Sequence, residues 1–128
     1  MKDVTQVASA SKLGDWQIVD ARAPARFRGE VPEARVELRP GRIPNSKNVH
    51  YATLFNADGT MKEGDALRAA FEAGGVDLDK RIITTCGSGV TAAILMLGLA
   101  RLGQDDVSLY DGSWAEWGQF EQLKVETG

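Results

Sequence analysis

The residue best suited to chemistry in this sequence is its single cysteine, Cys86, in the segment TTCGSGVTAA. The β-branched run before it predicts a buried strand that ends at Cys86, and the apolar run after it predicts a helix that begins near Val90 or Thr91. A loop around a helix N-terminus presents unpaired N–H groups that favour negative charge. Gly87 and Gly89 carry no side chains that would keep those groups from converging on one anion. Such a loop would favour the thiolate, which is the nucleophilic form of cysteine.

Two interpretations of Cys86 remain open from the residues alone. A lone cysteine at a strand end is often a small buried hydrophobe that fills space in the core. Alternatively, Cys86 is a nucleophile, because ligands of open α/β sheets bind at the carboxyl ends of the strands. The glycine spacing, together with the strand-to-helix context, favours the nucleophile.

The composition limits the class of protein. The 128 residues fit one domain, and 15 basic against 18 acidic residues give a net charge of −3, which predicts neither a nucleic-acid nor a membrane partner. One cysteine cannot form an internal disulfide, so a reducing cytoplasm is expected. The first residues lack the apolar core of a signal peptide, and the longest apolar run is too short to span a bilayer. We therefore expect a soluble cytoplasmic domain.

Helical and strand patterns alternate along the chain. Asp3 and Gln6 have the spacing of a capping box that opens a first helix, and Ser113 and Glu116 have the same spacing near the C-terminus. Apolar runs that predict strands lie between helical patterns, and the clearest of these runs are WQIVDA, RIITTC and DVSLYDG. This alternation predicts an α/β fold with a largely parallel sheet.

Several longer motifs resemble one family. The segment CGSGVTA with its apolar helix, followed by LYDGSWAEWG, is similar to the C-terminal catalytic domain of 3-mercaptopyruvate sulfurtransferases in the rhodanese superfamily. The agreement extends upstream through VDARAPARFRGEVPEAR, GRIPNSKNVHY and NADGTMK. The resemblance implies a single rhodanese domain over residues 1–128, with a central, mostly parallel five-stranded sheet flanked by helices on both faces. It also implies that this domain corresponds to the C-terminal half of a two-domain protein, whose active site lies between the two halves.

The resemblance also implies the site residues. Cys86 would carry the transferred sulfur as a persulfide, and Arg26 and Arg35 would bind the sulfur donor, for which the planar guanidinium fork matches a carboxylate. The other arginines have no such match and are expected to be solvated charges. The persulfide and its anionic charge would be held by the loop residues Gly87, Ser88, Gly89, Val90 and Thr91.

Ser88 has two readings in this sequence. Its hydroxyl could cap the helix start, as could that of Thr91. The resemblance instead places Ser88 in a proton relay, whose histidine and aspartate come from a preceding domain. His50, the only histidine, does not match the relay position and is expected to be a structural or surface residue.

The loop charge separates the related activities. Thiosulfate sulfurtransferases of this type carry basic residues directly after the cysteine, whereas Gly87 and Ser88 are uncharged. Related cysteine phosphatases need an arginine six residues after the cysteine to clamp phosphate, and here that residue is Ala92. One cysteine and one histidine cannot form a zinc site, and sulfur transfer requires neither a metal nor an organic cofactor.

The expected function is transfer of sulfane sulfur from 3-mercaptopyruvate, or less favourably thiosulfate, through Cys86 to an acceptor. The acceptor would be cyanide or a thiol such as thioredoxin or a small thiol. The alternative is a persulfide carrier or rhodanese-like interaction module with little turnover as an isolated domain, since a preceding N-terminal rhodanese domain would normally complete the site. One departure bears on the donor: Arg42 and the pair Asn45–Ser46 stand where the family usually shows histidine and Gly-Ala.

Overall fold

The computed structural model describes residues 1–33, 35, 37–88 and 90–128. Within this part of the chain, helices alternate with strands as the sequence predicts. The strands are β1 (Gln17–Asp20), β2 (Lys47–Asn48), β3 (Ile82–Thr85) and β4 (Val107–Leu109). The α-helices are α1 (Val4–Leu13), α2 (Pro24–Phe27), α3 (Gly64–Glu72), α4 (Ala92–Arg101) and α5 (Ser113–Trp117), and a short 3₁₀ helix spans Tyr51–Leu54.

The strands form one parallel sheet in the order β2-β1-β3-β4. The predicted α/β class and parallel sheet are confirmed, with four strands among the described residues. Lys2 forms a single parallel bridge with Tyr110 beyond the outer edge of β4. A fifth strand at this edge is thus reduced to one residue pair.

Each face of the sheet is covered by its own hydrophobic core, because successive side chains of a strand point to opposite faces. In β1, Ile18 joins one core and Val19 the other; in β3, Ile83 and Ile82 divide in the same way. The core on the Val19 side packs under α3 and α4, and the core on the Ile18 side packs under α1 and α5. The two central strands are therefore fixed from both sides, and so are the segments that leave their carboxyl ends.

Local signals explain the first and fourth helices. The predicted capping box of α1 is confirmed, since Asp3 and Gln6 exchange backbone-to-side-chain hydrogen bonds of 2.9 Å. Helix α4 begins at Ala92, one or two residues later than predicted, with Thr91 at its N-cap. Gly98 lets α4 pack closely on the Val19 side of the sheet, because a Cβ added at Gly98 would lie 3.1 Å from Leu54 Cδ1. No helix among the described residues combines the length and apolar character needed to cross a membrane.

Candidate active site

Three segments meet at the carboxyl edge of the sheet, where parallel strands direct their following residues to one place. Arg22 follows β1, His50 follows β2 and Cys86 follows β3. A pocket of about 300 Å³ lies at this edge. Its lining residues are Arg22, Ala23, Arg26, His50, Tyr51, Gly87, Ser88 and Thr91.

Cys86 directly precedes the pocket residue Gly87 in the sequence and is 1% exposed. It belongs to the core under α3 and α4, while its neighbours Gly87 and Ser88 line the pocket. Its N–H donates to Ser113 Oγ at 3.1 Å, and the same Oγ lies 3.9 Å from Cys86 Sγ. The burial agrees with the hydrophobe interpretation of Cys86, so the nucleophile interpretation depends on the shape of the loop around it.

The backbone of α5 sets that shape. The carbonyl of Cys86 accepts a hydrogen bond of 2.9 Å from the N–H of Trp114, and the carbonyl of Gly87 accepts one of 2.8 Å from Ala115. In a planar trans peptide the C=O and the following N–H point in opposite directions. The N–H groups of Gly87 and Ser88 therefore point away from α5, on the side where these two residues line the pocket. This orientation is the one that the predicted anion-binding loop requires.

The other predicted loop residues divide into three cases. Thr91 is half-buried, lines the pocket and makes no side-chain cap hydrogen bond with α4. Val90 is 72% exposed. Gly89 lies outside the described residues, so its predicted place in the anion-binding loop stays a prediction.

Ser113 is a residue that the sequence interpretation placed wrongly. The predicted capping box with Glu116 does not form: the N-cap of α5 is Gly112, and no side chain caps this helix. Instead, the buried Ser113 hydroxyl donates to the carbonyl of Tyr110 at 2.8 Å and accepts the N–H of Cys86. Its backbone is left-handed, with φ +52°. The Glu116 carboxylate accepts a hydrogen bond of 2.7 Å from the Tyr110 hydroxyl, and burial, then this contact, raises the pKa of Tyr110.

Of the two predicted donor-binding arginines, Arg26 lines the pocket. Its guanidinium pairs with Glu33, with Nη2 at 2.7 Å and Nε at 3.3 Å from the carboxylate oxygens. A Cβ added to Gly87 would lie 2.9 Å from Arg26 Nη2, so the guanidinium occupies space that a side chain at position 87 would need. The hydrogen bond that Arg26 donates to Glu33 raises the pKa of Arg26, and partial burial lowers it. The negative charges of Glu33, Asp20 and Cys86 raise it further.

A buried ion network holds Glu33 in place. Arg22 is 2% exposed, pairs with Asp20 at 2.8 Å and lies 3.7 Å from Glu33. Its guanidinium also lies 4.7 Å from the ring centroid of Trp114, a cation–π contact. Charges taken out of water need such partners, because an uncompensated buried charge is strongly destabilising. Arg22 thus connects the arginine side of the pocket to α5, and its expected place among the solvated charges is wrong.

The structure does not bring Arg35 to the pocket. Its side chain is 53% exposed and pairs with Glu37 at 2.6 Å. Its role in donor binding therefore stays a prediction. Arg39 and Arg42, which sequence reasoning kept outside the site, bind backbone carbonyls of the C-terminal segment, including those of Trp117, Gly118, Phe120, Leu123 and Gly128.

His50 is a pocket residue that sequence reasoning missed. Its expected role was structural or superficial, yet it is half-buried and lines the same pocket as Arg26 and Ser88. The one available signal was its position two residues after β2, at the edge where Cys86 also lies.

Comparisons with known proteins bear on this arrangement. Residues 3–120 match the Rhodanese-like domain family. The chain is 50% identical over 123 residues to the 3-mercaptopyruvate sulfurtransferase of Escherichia coli K12, covering 96% of this chain and 43% of that protein. It is 42% identical over 128 residues to the thiosulfate sulfurtransferase of Bos taurus, covering 99% and 42%. The crystal structure of SseA from Escherichia coli, described as a 3-mercaptopyruvate sulfotransferase with the rhodanese fold, matches with a TM-score of 0.76 at 47% identity, covering 89% and 42%.

These matches confirm the resemblance that the sequence motifs carry. They also fix its extent, since the chain spans about two fifths of the length of each of these three proteins.

Proposed function

The chain belongs to the rhodanese-like domain family, and we propose that it is a sulfurtransferase that takes sulfur from 3-mercaptopyruvate through a persulfide on Cys86. The observation that supports this most is the loop after β3. Two carbonyls of the loop are held by α5, the N–H groups of Gly87 and Ser88 turn to the pocket side, and Arg26 lies against Gly87. Donors arranged in advance around a sulfur anion stabilise it without reorganisation.

The proposed reaction begins with attack of the Cys86 thiolate on the sulfur of 3-mercaptopyruvate. The new S–S bond forms as the C–S bond breaks, and pyruvate leaves after its carbon takes up a proton. Arg26 would hold the donor carboxylate, with Arg35 as a second predicted ligand. The backbone N–H groups of the loop would stabilise the persulfide anion, and Ser88 is retained as a predicted participant in proton transfer.

The uncharged loop supports 3-mercaptopyruvate over thiosulfate as donor. Gly87 leaves the space beside it to Arg26, which is already paired with Glu33. One paired cation suits a monoanionic carboxylate better than a dianion, because each added charge must also be stripped of water. A thiol such as thioredoxin or a small thiol, or cyanide, would take the outer sulfur, and we propose the cytoplasm as the location.

The test is release of pyruvate from 3-mercaptopyruvate in the presence of a thiol acceptor. The wild-type chain should release pyruvate, and Cys86→Ser should release none, because the serine hydroxyl cannot carry sulfane sulfur. Ser46→Ala is a suitable control, since this serine is not among the pocket-lining residues and its hydroxyl donates to the carbonyl of Ile43. Equal turnover by the wild type and Cys86→Ser would refute the proposal.

A second candidate function is a persulfide carrier with little turnover of its own. It is favoured by the 1% exposure of Cys86, which leaves the sulfur little open to a free donor. A partner domain, proposed to be a preceding rhodanese domain, would then open or complete the site. A carrier accepts sulfur from a persulfidated protein faster than from 3-mercaptopyruvate, so a comparison of the two loading rates on Cys86 separates the candidates.

A further inference from the structure

His50 occupies a fixed position in the pocket. The N–H groups on either side of it bind β1 and its extension, Val49 to the carbonyl of Asp20 at 3.0 Å and Tyr51 to that of Ala21 at 3.0 Å. Its own carbonyl accepts the N–H of Thr53 at 2.9 Å and the Thr53 hydroxyl at 2.7 Å. The backbone at His50 is therefore held from three sides without any help from the imidazole.

Hydrogen bonding among the described residues does not explain the His50 imidazole. Within the described residues, its ring contacts the Tyr51 ring edge-on, with centroids 5.0 Å apart and planes at 86°, and its nitrogens bond to no protein group. Since His50 is only half-buried, its nitrogens are not sealed from solvent. Here the nitrogens are left available to whatever fills the pocket beside Arg26 and Ser88.

The other described pocket residues do not suit proton transfer at neutral pH by themselves. Arg22 and Arg26 remain charged guanidiniums in ion pairs. Tyr51, Ser88 and Thr91 offer hydroxyls, which are poor bases without a partner to take their proton. Imidazole both takes up and releases a proton near neutral pH. Among these residues it is therefore the side chain chemically matched to proton transfer.

We propose that His50 is a catalytic residue of this chain, a proton shuttle in the loading of Cys86 from 3-mercaptopyruvate. This inference rests on the proposed function. As the thiolate attacks the donor sulfur, neutral His50 takes the proton of the donor S–H group. The electron pair of the breaking C–S bond passes to the methylene carbon and gives the enolate of pyruvate. The imidazolium then returns the proton to that carbon, which yields pyruvate, the Cys86 persulfide anion and neutral His50. The sulfur atoms of Cys86 and of the donor are oxidised together to the persulfide by two electrons, and the donor carbon is reduced by two, so no other reactant is needed.

The test compares two reactions of Cys86 in the same variant. Persulfide formation from 3-mercaptopyruvate requires transfer of the S–H proton of the donor to its carbon. Alkylation by iodoacetamide requires no proton transfer from the reagent. The rate of the first divided by the rate of the second cancels changes in the access and reactivity of Cys86. General acid–base groups contribute about 100-fold or more to such steps, so His50→Gln should lower this ratio about 100-fold. Thr53→Ala, which removes a side-chain bond to the same turn but keeps the imidazole, should keep the wild-type ratio.

Chemical rescue separates catalysis from structure. Added imidazole should raise the persulfide rate of His50→Ala in proportion to its concentration, with no matching rise in the alkylation rate. A ratio in His50→Gln within about threefold of the wild type overturns the proposal, since catalysis by His50 requires a much larger loss. A large loss that imidazole does not restore in His50→Ala also overturns it. If the wild type itself gains no sulfur from 3-mercaptopyruvate while iodoacetamide still reacts, the proposed function fails instead, and this inference fails with it.

Discussion

Replacing Ser113 with alanine removes one buried hydroxyl that joins three segments of the site. Its Oγ donates to the Tyr110 carbonyl at 2.8 Å and accepts the Cys86 N–H at 3.1 Å and the Thr85 hydroxyl at 3.3 Å. These contacts tie the end of β3 to the start of α5. The substitution leaves the backbone groups without this partner in an interior that water does not reach.

The cost follows from the contacts that are lost. A buried donor or acceptor left unsatisfied costs about 1–3 kcal/mol, and because the contact with Thr85 is long, we expect a total of about 3 kcal/mol for Ser113→Ala. Ser113→Gly removes the same hydroxyl but relieves the left-handed backbone at φ +52°. A non-glycine residue in that region pays about 1–2 kcal/mol, so the glycine variant should be about 1 kcal/mol more stable than the alanine variant.

Urea unfolding followed by tryptophan fluorescence measures both differences, because Trp114 and Trp117 are buried next to this turn. The slope against urea should stay the same in all three proteins, so that the midpoints report stability alone. A loss of less than about 0.5 kcal/mol for Ser113→Ala would refute the view that this hydroxyl holds the loop. A glycine variant less stable than the alanine variant would refute the backbone part of the reasoning.

Three further outcomes are expected from other parts of the site. The measured quantity is the rate of Cys86 alkylation by anionic iodoacetate divided by the rate with neutral iodoacetamide. Arg26→Gln should lower this ratio about three- to tenfold. Arg28→Gln, which removes an exposed charge at the end of α2, should leave the ratio unchanged. Arg22→Met should lower the free energy of unfolding, measured in urea, by about 3–5 kcal/mol, because the Asp20 carboxylate would stay buried without its partner. A loss below about 1 kcal/mol would show that this ion network is dispensable. The pKa of Tyr110 is raised above its ordinary value of 10.0. The contribution of the neutral Tyr110 to stability is therefore complete below about pH 10 and is lost as the pH rises above about 10. The free energy of unfolding, measured from about pH 9 to 11, should fall less steeply in Tyr110→Phe than in the wild type.

The parts of the fold that follow from local signals could be predicted from the sequence. The β-branched run before Cys86 and the apolar run after it define a buried strand and a covered helix, and both are found as β3 and α4. The capping box of α1 is complete within four residues, Asp3 to Gln6, so its hydrogen bonds depend on nothing further along the chain. Arg26 was predicted through a family motif; the structure places it beside Gly87, and its role in donor binding stays a prediction.

The residues that sequence reasoning missed depend on contacts between distant segments. The buried state of Arg22 depends on Asp20, Glu33 and the Trp114 ring together, and no local pattern distinguishes it from an exposed arginine. Ser113 carries the local pattern of a cap, but Cys86, 27 residues away, takes the hydroxyl instead. Tertiary partners override local preference in this way wherever a buried polar group must be satisfied.

The central claim is that Cys86 accepts sulfur, and intact-mass spectrometry tests it most directly. The wild-type chain, mixed with 3-mercaptopyruvate and freed of small molecules, should gain the mass of one sulfur atom and lose it on treatment with a reducing thiol. Thiosulfate should give a smaller gain under the same conditions, and Cys86→Ser should gain nothing from either donor. A wild-type chain that gains no sulfur from either donor would contradict the claim, and so would a Cys86→Ser chain that gains as much as the wild type.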